Sequence, residues 1–368
     1  MNPSIWELET FYRKRDVIII GAGFTGLWTA ISIKEKFPEK SVLVIERSAI
    51  PIGASTRNAG FACFGSLTEI IADVDKMGWQ KTLDLVKMRF EGLQKIKNYF
   101  KADAIDFEEC GGYEILNDES ILDQLDEVNN QLKEITGIPK TYLVSNSKIA
   151  EFGLGKTKIL IQNPLEGRLH SGKLLQQLLQ KCYDLKVEFL FGTEVLEIVE
   201  SKDSVKISIE NFDLEAENIV IATNAFTKKL FPGIDLIPAR GQILVTEPIE
   251  NLQLKGTFHY DEGFYYFRNV NNCVLLGGGR NQDFENEETT DFSTTEFLQN
   301  HLEQFLKEVI LPNQSFKIAH RWSGIMAMGS EKSPIIEKIT ARQIAAVRLS
   351  GMGVALAPKV GEMVADLI

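Results

Sequence analysis

Gly21, Gly23 and Gly26 stand in the spacing G-x-G-x-x-G, with Phe24 and Thr25 between the last two. A carboxylate, Glu46, followed by Arg47, lies about twenty residues beyond the last glycine. A residue without a Cβ can make the tight turn at Gly21, bring backbone close to a pyrophosphate at Gly23 and pack helix on strand at Gly26. Glu46 stands where an acid meets a ribose hydroxyl. The chemistry that this spacing supports is the binding of a dinucleotide. The glycines follow a continuous apolar run at 17–20, of the kind that a parallel strand buried on both faces needs. A helical pattern comes after them, and a second apolar strand at 41–45 delivers Glu46. Strand, turn, helix, strand and acid all occur in the order that a phosphate-binding helix N-terminus requires.

Other segments carry residue types suited to a ligand. Residues 53–61 include Ala54, Ser55, Arg57, Asn58, Ala59 and Gly60, small and polar, and are suited to lay backbone N–H groups along a flat cofactor. The apolar strand at 218–221 ends in Ala222, Thr223 and Asn224, repeating the design of the opening strand. Near the end, Gly351, Met352, Gly353 and Val354 form a closing glycine turn before a last helix. Between 231 and 315, antiparallel strands are expected around 241–246, 263–268 and 273–280. Tyr260, Tyr266 and Arg268 concentrate aromatic and cationic groups there, and Arg280 and Arg321 add two further cations. His170 reads as a loop or capping residue, and no residue stands out as a general base.

The 368 residues suffice for two domains, with 44% hydrophobic and 25% charged residues, as in an ordinary globular protein. A net charge of −11 argues against nucleic acid and anionic membrane as partners. Cys63, Cys110, Cys182 and Cys273 are far apart, without metal-ligand spacing, so no metal is expected and free thiols in a cytoplasmic protein are. No run is long enough for a membrane span, and no signal-peptide core precedes the first strand. Helical patterns cover 68–100, 119–135, 173–185 and 294–310.

The glycine fingerprint, the 54–60 loop, the 222–225 strand end and the 351–359 turn together resemble the FAD-dependent amine and amino-acid oxidoreductases. That group includes glycine oxidase, D-amino-acid dehydrogenase and γ-glutamylputrescine oxidase. The resemblance covers nearly the whole chain. It implies an α/β fold, with a Rossmann-like FAD-binding domain (1–80, 145–230 and 316–368). Interleaved with it is an α+β substrate domain on an antiparallel sheet (81–144 and 231–315). It further implies non-covalent FAD, held by the residues above, with Val195 meeting the adenine through its backbone.

The implied reaction is hydride transfer to the flavin N5 from the carbon beside a substrate nitrogen, giving an imine that water hydrolyses. Oxygen or another acceptor would then take the electrons. Tyr260, Tyr266, Arg268, Arg321 and Met326 are the substrate-pocket candidates. The sequence departs from glycine oxidase at Met326, which follows the segment Trp322-Ser323-Gly324-Ile325 where that enzyme has a carboxylate-clamping arginine. A thioether cannot replace a bidentate guanidinium. An amine without that carboxylate is therefore expected, unless another arginine supplies the clamp. Two other readings keep the cofactor: oxidation of a modified tRNA base, and a flavin-binding module without catalysis.

Overall fold

The apolar run before the glycines is the strand Arg15–Ile20, in which Val17, Ile18 and Ile19 are completely buried. It lies between two parallel neighbours, Val42–Glu46 and Asp213–Ile221. Such strands are covered on both faces, which is why their residues read as unbroken apolar runs with no alternation. This computed structural model describes residues 3–210 and 212–368. The central sheet continues in the order Ile335–Lys338, Gln343–Val347, Asp213–Ile221, Arg15–Ile20, Val42–Glu46, Glu188–Phe191. Two antiparallel strands, Val205–Ser208 and Glu197–Glu200, attach beside Asp213–Ile221.

Two helices cover this sheet together, Phe24–Lys36 and Gly353–Leu367. Their approach depends on Gly361, because a Cβ there would stand 2.6 Å from the backbone carbon of Trp28. Trp28, Ile31 and Leu356 are fully buried. The Rossmann-like arrangement expected from the sequence is present.

A second eight-stranded sheet runs in the order Ile318–Met328, Ile237–Thr246, Cys273–Gly278, Tyr265–Val270, Thr257–Tyr260, Gly112–Leu116, Ile159–Asn163, Leu143–Val144. Side chains alternate between its faces. One face buries Tyr113, Phe258, Phe267 and Leu276 with Leu302 and Leu306. Leu302 belongs to the helix Glu296–Phe305, and Leu306 opens the π-helical turn Leu306–Ile310 that extends it. The other face carries the polar residues described below.

The chain divides into two units: Met1–Thr56, Gly172–Ala239 and Met326–Ile368, and Arg57–Ser171 with Arg240–Ile325. These limits differ from those expected. Residues 57–80, 145–171 and 316–325 fall in the second unit and 231–239 in the first. The reason is strand pairing. Ile159–Asn163 is antiparallel to Gly112–Leu116, and the long helix Leu67–Tyr99 starts at Ser66, whose hydroxyl is 2.9 Å from Glu114. That helix is broken at Gly78 (φ +80°), which the continuous apolar pattern did not foretell. Among the described residues no helix is long and apolar enough to cross a membrane.

Candidate functional site

In the first unit Gly21 makes the tight turn and Gly26 the close helix–strand approach expected of them. Gly21 has φ +107°, and a Cβ on it would lie 2.7 Å from the Ala222 carbonyl oxygen. A Cβ on Gly26 would collide with the Gly21 carbonyl, standing 3.1 Å from its carbon. Gly23 is the N-cap of Phe24–Lys36 and supplies no side-chain cap. Ser55 takes part of that place, its Oγ accepting from the Phe24 N–H at 2.8 Å. The remaining first-turn N–H groups have no carbonyl within the helix to meet, and they carry the positive end of its dipole.

Glu46 closes over the turn. Its Oε2 accepts from the Ala22 N–H at 3.1 Å and its Oε1 from the Ser48 N–H at 3.1 Å. The Arg47 guanidinium stacks 3.9 Å from the Phe226 ring centroid. Val195 is buried among Ile18, Ile20, Leu43 and Ile45. Beyond the Asp213–Ile221 strand, the Thr223 and Thr227 hydroxyls are 2.7 Å apart, and Asn224 has φ +50°.

The closing turn is strained and open in the same unit. Arg348, Ser350 and Gly351 have φ +61°, +46° and +83°. The Ser350 hydroxyl is buried without a hydrogen-bond partner, and Met352, the N-cap of Gly353–Leu367, gives no side-chain cap. Met326 stands here too, since a Cβ on Gly351 would lie 3.5 Å from its Sδ. Two helix N-termini without caps of their own and an orphaned hydroxyl form a cradle fitted to a polar, anionic ligand with little room to spare. FAD fits these residues.

The rest of the 54–60 segment shows a different use of its side chains. Ala54–Arg57 is a single helical turn. Arg57 donates to the Ser323 carbonyl at 2.9 Å, lies 4.7 Å from the Phe292 ring centroid, and its own carbonyl accepts from the Trp322 indole N–H at 3.1 Å. Asn58 Oδ1 accepts from the Gly60 N–H and from the Ser171 hydroxyl. Ala59 packs with Ile243 and Leu275. These four residues, Arg57 to Gly60, belong to the second unit.

On the polar face of the second sheet, strand register sets Glu114, His259, Tyr266 and Gly277 side by side across four strands. Tyr266 lies flat over Gly277, where a Cβ would be 2.4 Å from the ring, so only glycine accommodates it. Phe61 meets His259 and Tyr266 edge-on, at 5.2 and 6.0 Å between centroids. Phe61, Tyr266, Val245 and Trp322 cluster around Ile243 and Leu275. Burial pushes the Tyr266 phenol up to about 12 and the His259 imidazole down to about 4, so both are neutral near pH 7. His259 Nε2 is buried without a partner.

Two of the expected pocket cations are committed elsewhere. Arg268 donates to the carbonyls of Gly60 (3.0 Å) and Leu169 (3.1 Å), and Arg321 to Gln299 and Glu303, both at 2.5 Å. Tyr260 packs against Phe305 and Tyr265 on the opposite face of the sheet. Sequence reasoning missed His259 and Glu114, because short strands with one polar residue give no periodic signal.

Glu46 makes the sharpest test of the first-unit cradle. Glu46→Ala removes a carboxylate that holds two backbone N–H groups, each such bond contributing about 1.5–3 kcal/mol. FAD affinity is expected to fall by roughly tenfold or more, with Glu46→Gln intermediate, in a titration followed by flavin fluorescence. Unchanged affinity in Glu46→Ala would remove the acid from the cofactor site.

Known proteins share this organisation. The family profile described as DAO, FAD dependent oxidoreductase, matches residues 16–367. The chain is 26% identical to the "Probable oxidoreductase OrdL" of Haemophilus influenzae, over 100% of this chain and 84% of that protein. It is 24% identical to the gamma-glutamylputrescine oxidoreductase of Escherichia coli, over 96% of this chain and 83% of that one. The crystal structure of L-proline dehydrogenase from P. horikoshii superposes with a TM-score of 0.80 at 19% identity, covering 97% of this chain and 93% of the other.

Proposed function

Because the chain belongs to the DAO family of FAD-dependent oxidoreductases, we propose that it oxidises the C–N bond of a small amine or amino acid to an imine, which water then hydrolyses. The observation that carries this reading is the glycine-turn cradle of the first unit; the second unit, taken by itself, presents a neutral aromatic face. The names of the relatives, one acting on gamma-glutamylputrescine and one on L-proline, support the substrate class.

FAD, when bound, supplies the acceptor for the hydride that leaves the carbon beside the substrate nitrogen. Gly21, Gly23, Phe24, Thr25 and Gly26 would hold its pyrophosphate, and Glu46 and Arg47 its adenosine end with the Val195 backbone, Ala222, Thr223 and Asn224. In the first unit, Ala54 and Ser55 with Gly351, Met352, Gly353 and Val354 would serve its ring side; Arg57, Asn58, Ala59 and Gly60 are a separate group of proposed cofactor contacts. The chain's own task is then to present a neutral amine. An ammonium loses much of its hydration against Phe61, Tyr266, Val245 and Trp322, which lowers its pKa and favours the reactive free base. His259, neutral and sealed, adds no positive charge to that face.

Anaerobic addition of amines and amino acids to the FAD-loaded protein tests the reading. Bleaching of the flavin absorption by members of one class is the expected result. A spectrum unmoved by the whole panel would overturn it.

A further inference from the structure

Among the described residues from 280 to 297, all in the second unit, Glu287 is the one that is buried. It ends the single helical turn Phe284–Glu287, and its side chain is completely withdrawn from water while Phe284 stays exposed. A surface segment ordinarily keeps its place by burying apolar groups. This one buries a carboxylate instead.

Glu287 meets the buried Arg240 through two parallel bonds, Nε to Oε2 at 2.9 Å and Nη2 to Oε1 at 2.6 Å. Gln242 Nε2 donates to the same Oε1 at 2.9 Å. A buried pair of this kind adds little stability over apolar residues of similar volume, but its fork geometry admits one position. It bears on where the segment lies more than on how tightly the unit folds.

Phe292 lies between the fastened points. Arg240 Nη1 donates to the Ser293 hydroxyl at 2.9 Å, and the Thr295 N–H to Gln242 Oε1 at 3.0 Å. The Phe292 carbonyl accepts from the buried Ser323 hydroxyl at 2.6 Å. Its ring centroid is 4.7 Å from the Arg57 guanidinium, within cation–π range.

Arg57 in turn grips Ile318–Met328, the end strand of the second sheet, at two consecutive residues. Its Nη1 donates to the Ser323 carbonyl at 2.9 Å, and its carbonyl accepts from the Trp322 indole at 3.1 Å. Gly324 permits the approach, since a Cβ there would stand 3.1 Å from the Arg57 Cβ. Trp322 itself packs with Phe61, Val245 and Tyr266 around Ile243 and Leu275.

We propose that residues 283–295 are a strap that positions Trp322. Glu287, clasped by Arg240, sets Phe292 against Arg57, and Arg57 holds the indole in one orientation on the aromatic face. Glu287, Phe292 and Arg57 are positioning residues here, and Trp322 is the wall that meets the amine. This rests on the proposed amine oxidation and deepens it.

The test labels the FAD-loaded protein with 5-fluorotryptophan and follows its four tryptophans by fluorine NMR, Trp322→Phe assigning one signal. Phe292→Leu keeps an apolar side chain and removes the ring beside Arg57. It is expected to shift the Trp322 signal and leave that of the buried Trp28 where it was. Phe292→Tyr, which keeps the ring, should restore the wild-type position. Glu287→Gln should move the same signal, with flavin content and thermal midpoint establishing that it is folded.

Anaerobic flavin reduction and turnover are then measured with methylamine, pyrrolidine, benzylamine, glycine, proline and phenylalanine. For those that react, Phe292→Leu should raise KM about threefold with a smaller change in kcat, as the loss of a binding wall does. In the Trp322→Phe background the same substitution should leave KM unchanged, because the wall that it sets is gone.

A Trp322 signal that stays in place in Phe292→Leu, or a KM effect undiminished in the Trp322→Phe background, overturns the proposal. So does a shift of all four signals together, which would mark a general loosening. A Trp322 signal coupled to Phe292, without flavin reduction by any of the six compounds, would leave the strap standing and remove the amine oxidation.

Discussion

Gly26→Ala is expected to yield a protein that binds no FAD and loses much of its stability. The added methyl group would fall inside the contact distance of the Gly21 carbonyl oxygen, with that carbonyl's carbon 3.1 Å away and Ile19 Cγ2 3.4 Å away. Neither obstacle can swing aside. The Gly21 carbonyl is backbone in a turn at φ +107°, and that turn is pinned from its other side by the Ala222 carbonyl. Relief requires the helix Phe24–Lys36 to lift off the strand, which opens the buried layer of Leu27, Ile31 and Trp28. Overpacking of this kind costs about 1–3 kcal/mol, and more where backbone opposes backbone. The displaced helix N-terminus would no longer face the phosphates. The ratio of absorbance at 450 and 280 nm after purification, with the thermal midpoint, reads both effects. A yellow protein of wild-type stability would show that the turn tolerates a side chain.

Stability should also fall as pH rises from 5.5 to 8.5, a direction opposite to ordinary acid denaturation. Two carboxyl groups of the second unit are responsible. Burial raises Glu114 to about 7 and Glu166 to about 8, against an ordinary value of 4.5. Glu114 is held by Ser66 and Thr68, and Glu166 accepts from the Phe64 N–H at 2.9 Å while its carboxyl lies over Gly112. The hydrogen bonds do not outweigh the loss of water.

For an acid whose pKa is raised by folding, the folded state holds more protons than the unfolded one. Its stability is complete below pH 4.5 and is lost as pH climbs through the folded value. At about 1.4 kcal/mol for each pH unit between the two values, the loss is on the order of 3 kcal/mol for Glu114 and 5 for Glu166. His259, lowered to about 4, acts the other way below pH 6.5, where the unfolded imidazole gains the proton. It therefore offsets one of the two acids between 4.5 and 6.5 and leaves the decline above 6.5 unopposed.

A drop in thermal midpoint of about 5–15 °C between pH 5.5 and 8.5 is the expected result. Glu166→Gln, which copies the protonated acid, should change little at pH 5.5 and raise the midpoint at pH 8.5. A flat profile in the wild type, or a variant whose profile runs parallel to it, would contradict the assignment.

The first unit was legible because its signals are local. Strand, glycine turn, helix and Glu46 lie within a single stretch, and Gly21 and Gly26 each answer to a close backbone neighbour. The Gly351 turn could be recognised for the same reason. The second unit was less so. Arg268 reads as a pocket cation in the tract Tyr265-Tyr266-Phe267-Arg268, yet its partners are carbonyls at Gly60 and Leu169, each about a hundred residues or more away in sequence.

Arg321 is taken by a helix surface that its own strand does not announce. The strand Gly112–Leu116 escaped notice altogether, since a buried glutamate breaks the apolar pattern at its centre. Register could not be derived either, and register alone brings Glu114, His259 and Tyr266 into one row.

The helix Gly353–Leu367 bears on how this protein comes into being. It lies on Phe24–Lys36, so the wall behind the glycine turn is made from opposite ends of the chain. A ribosome adding about 5–20 residues per second would deliver the turn first and its covering helix more than three hundred residues later. During those tens of seconds the apolar side of Phe24–Lys36 waits uncovered, while the whole of the second unit's chain emerges. On the cradle proposed above, FAD capture waits for the Gly353–Leu367 helix to emerge. A stop codon shortly before Gly353 would not give a slightly shortened enzyme, but a chain whose oldest segment never finds its cover.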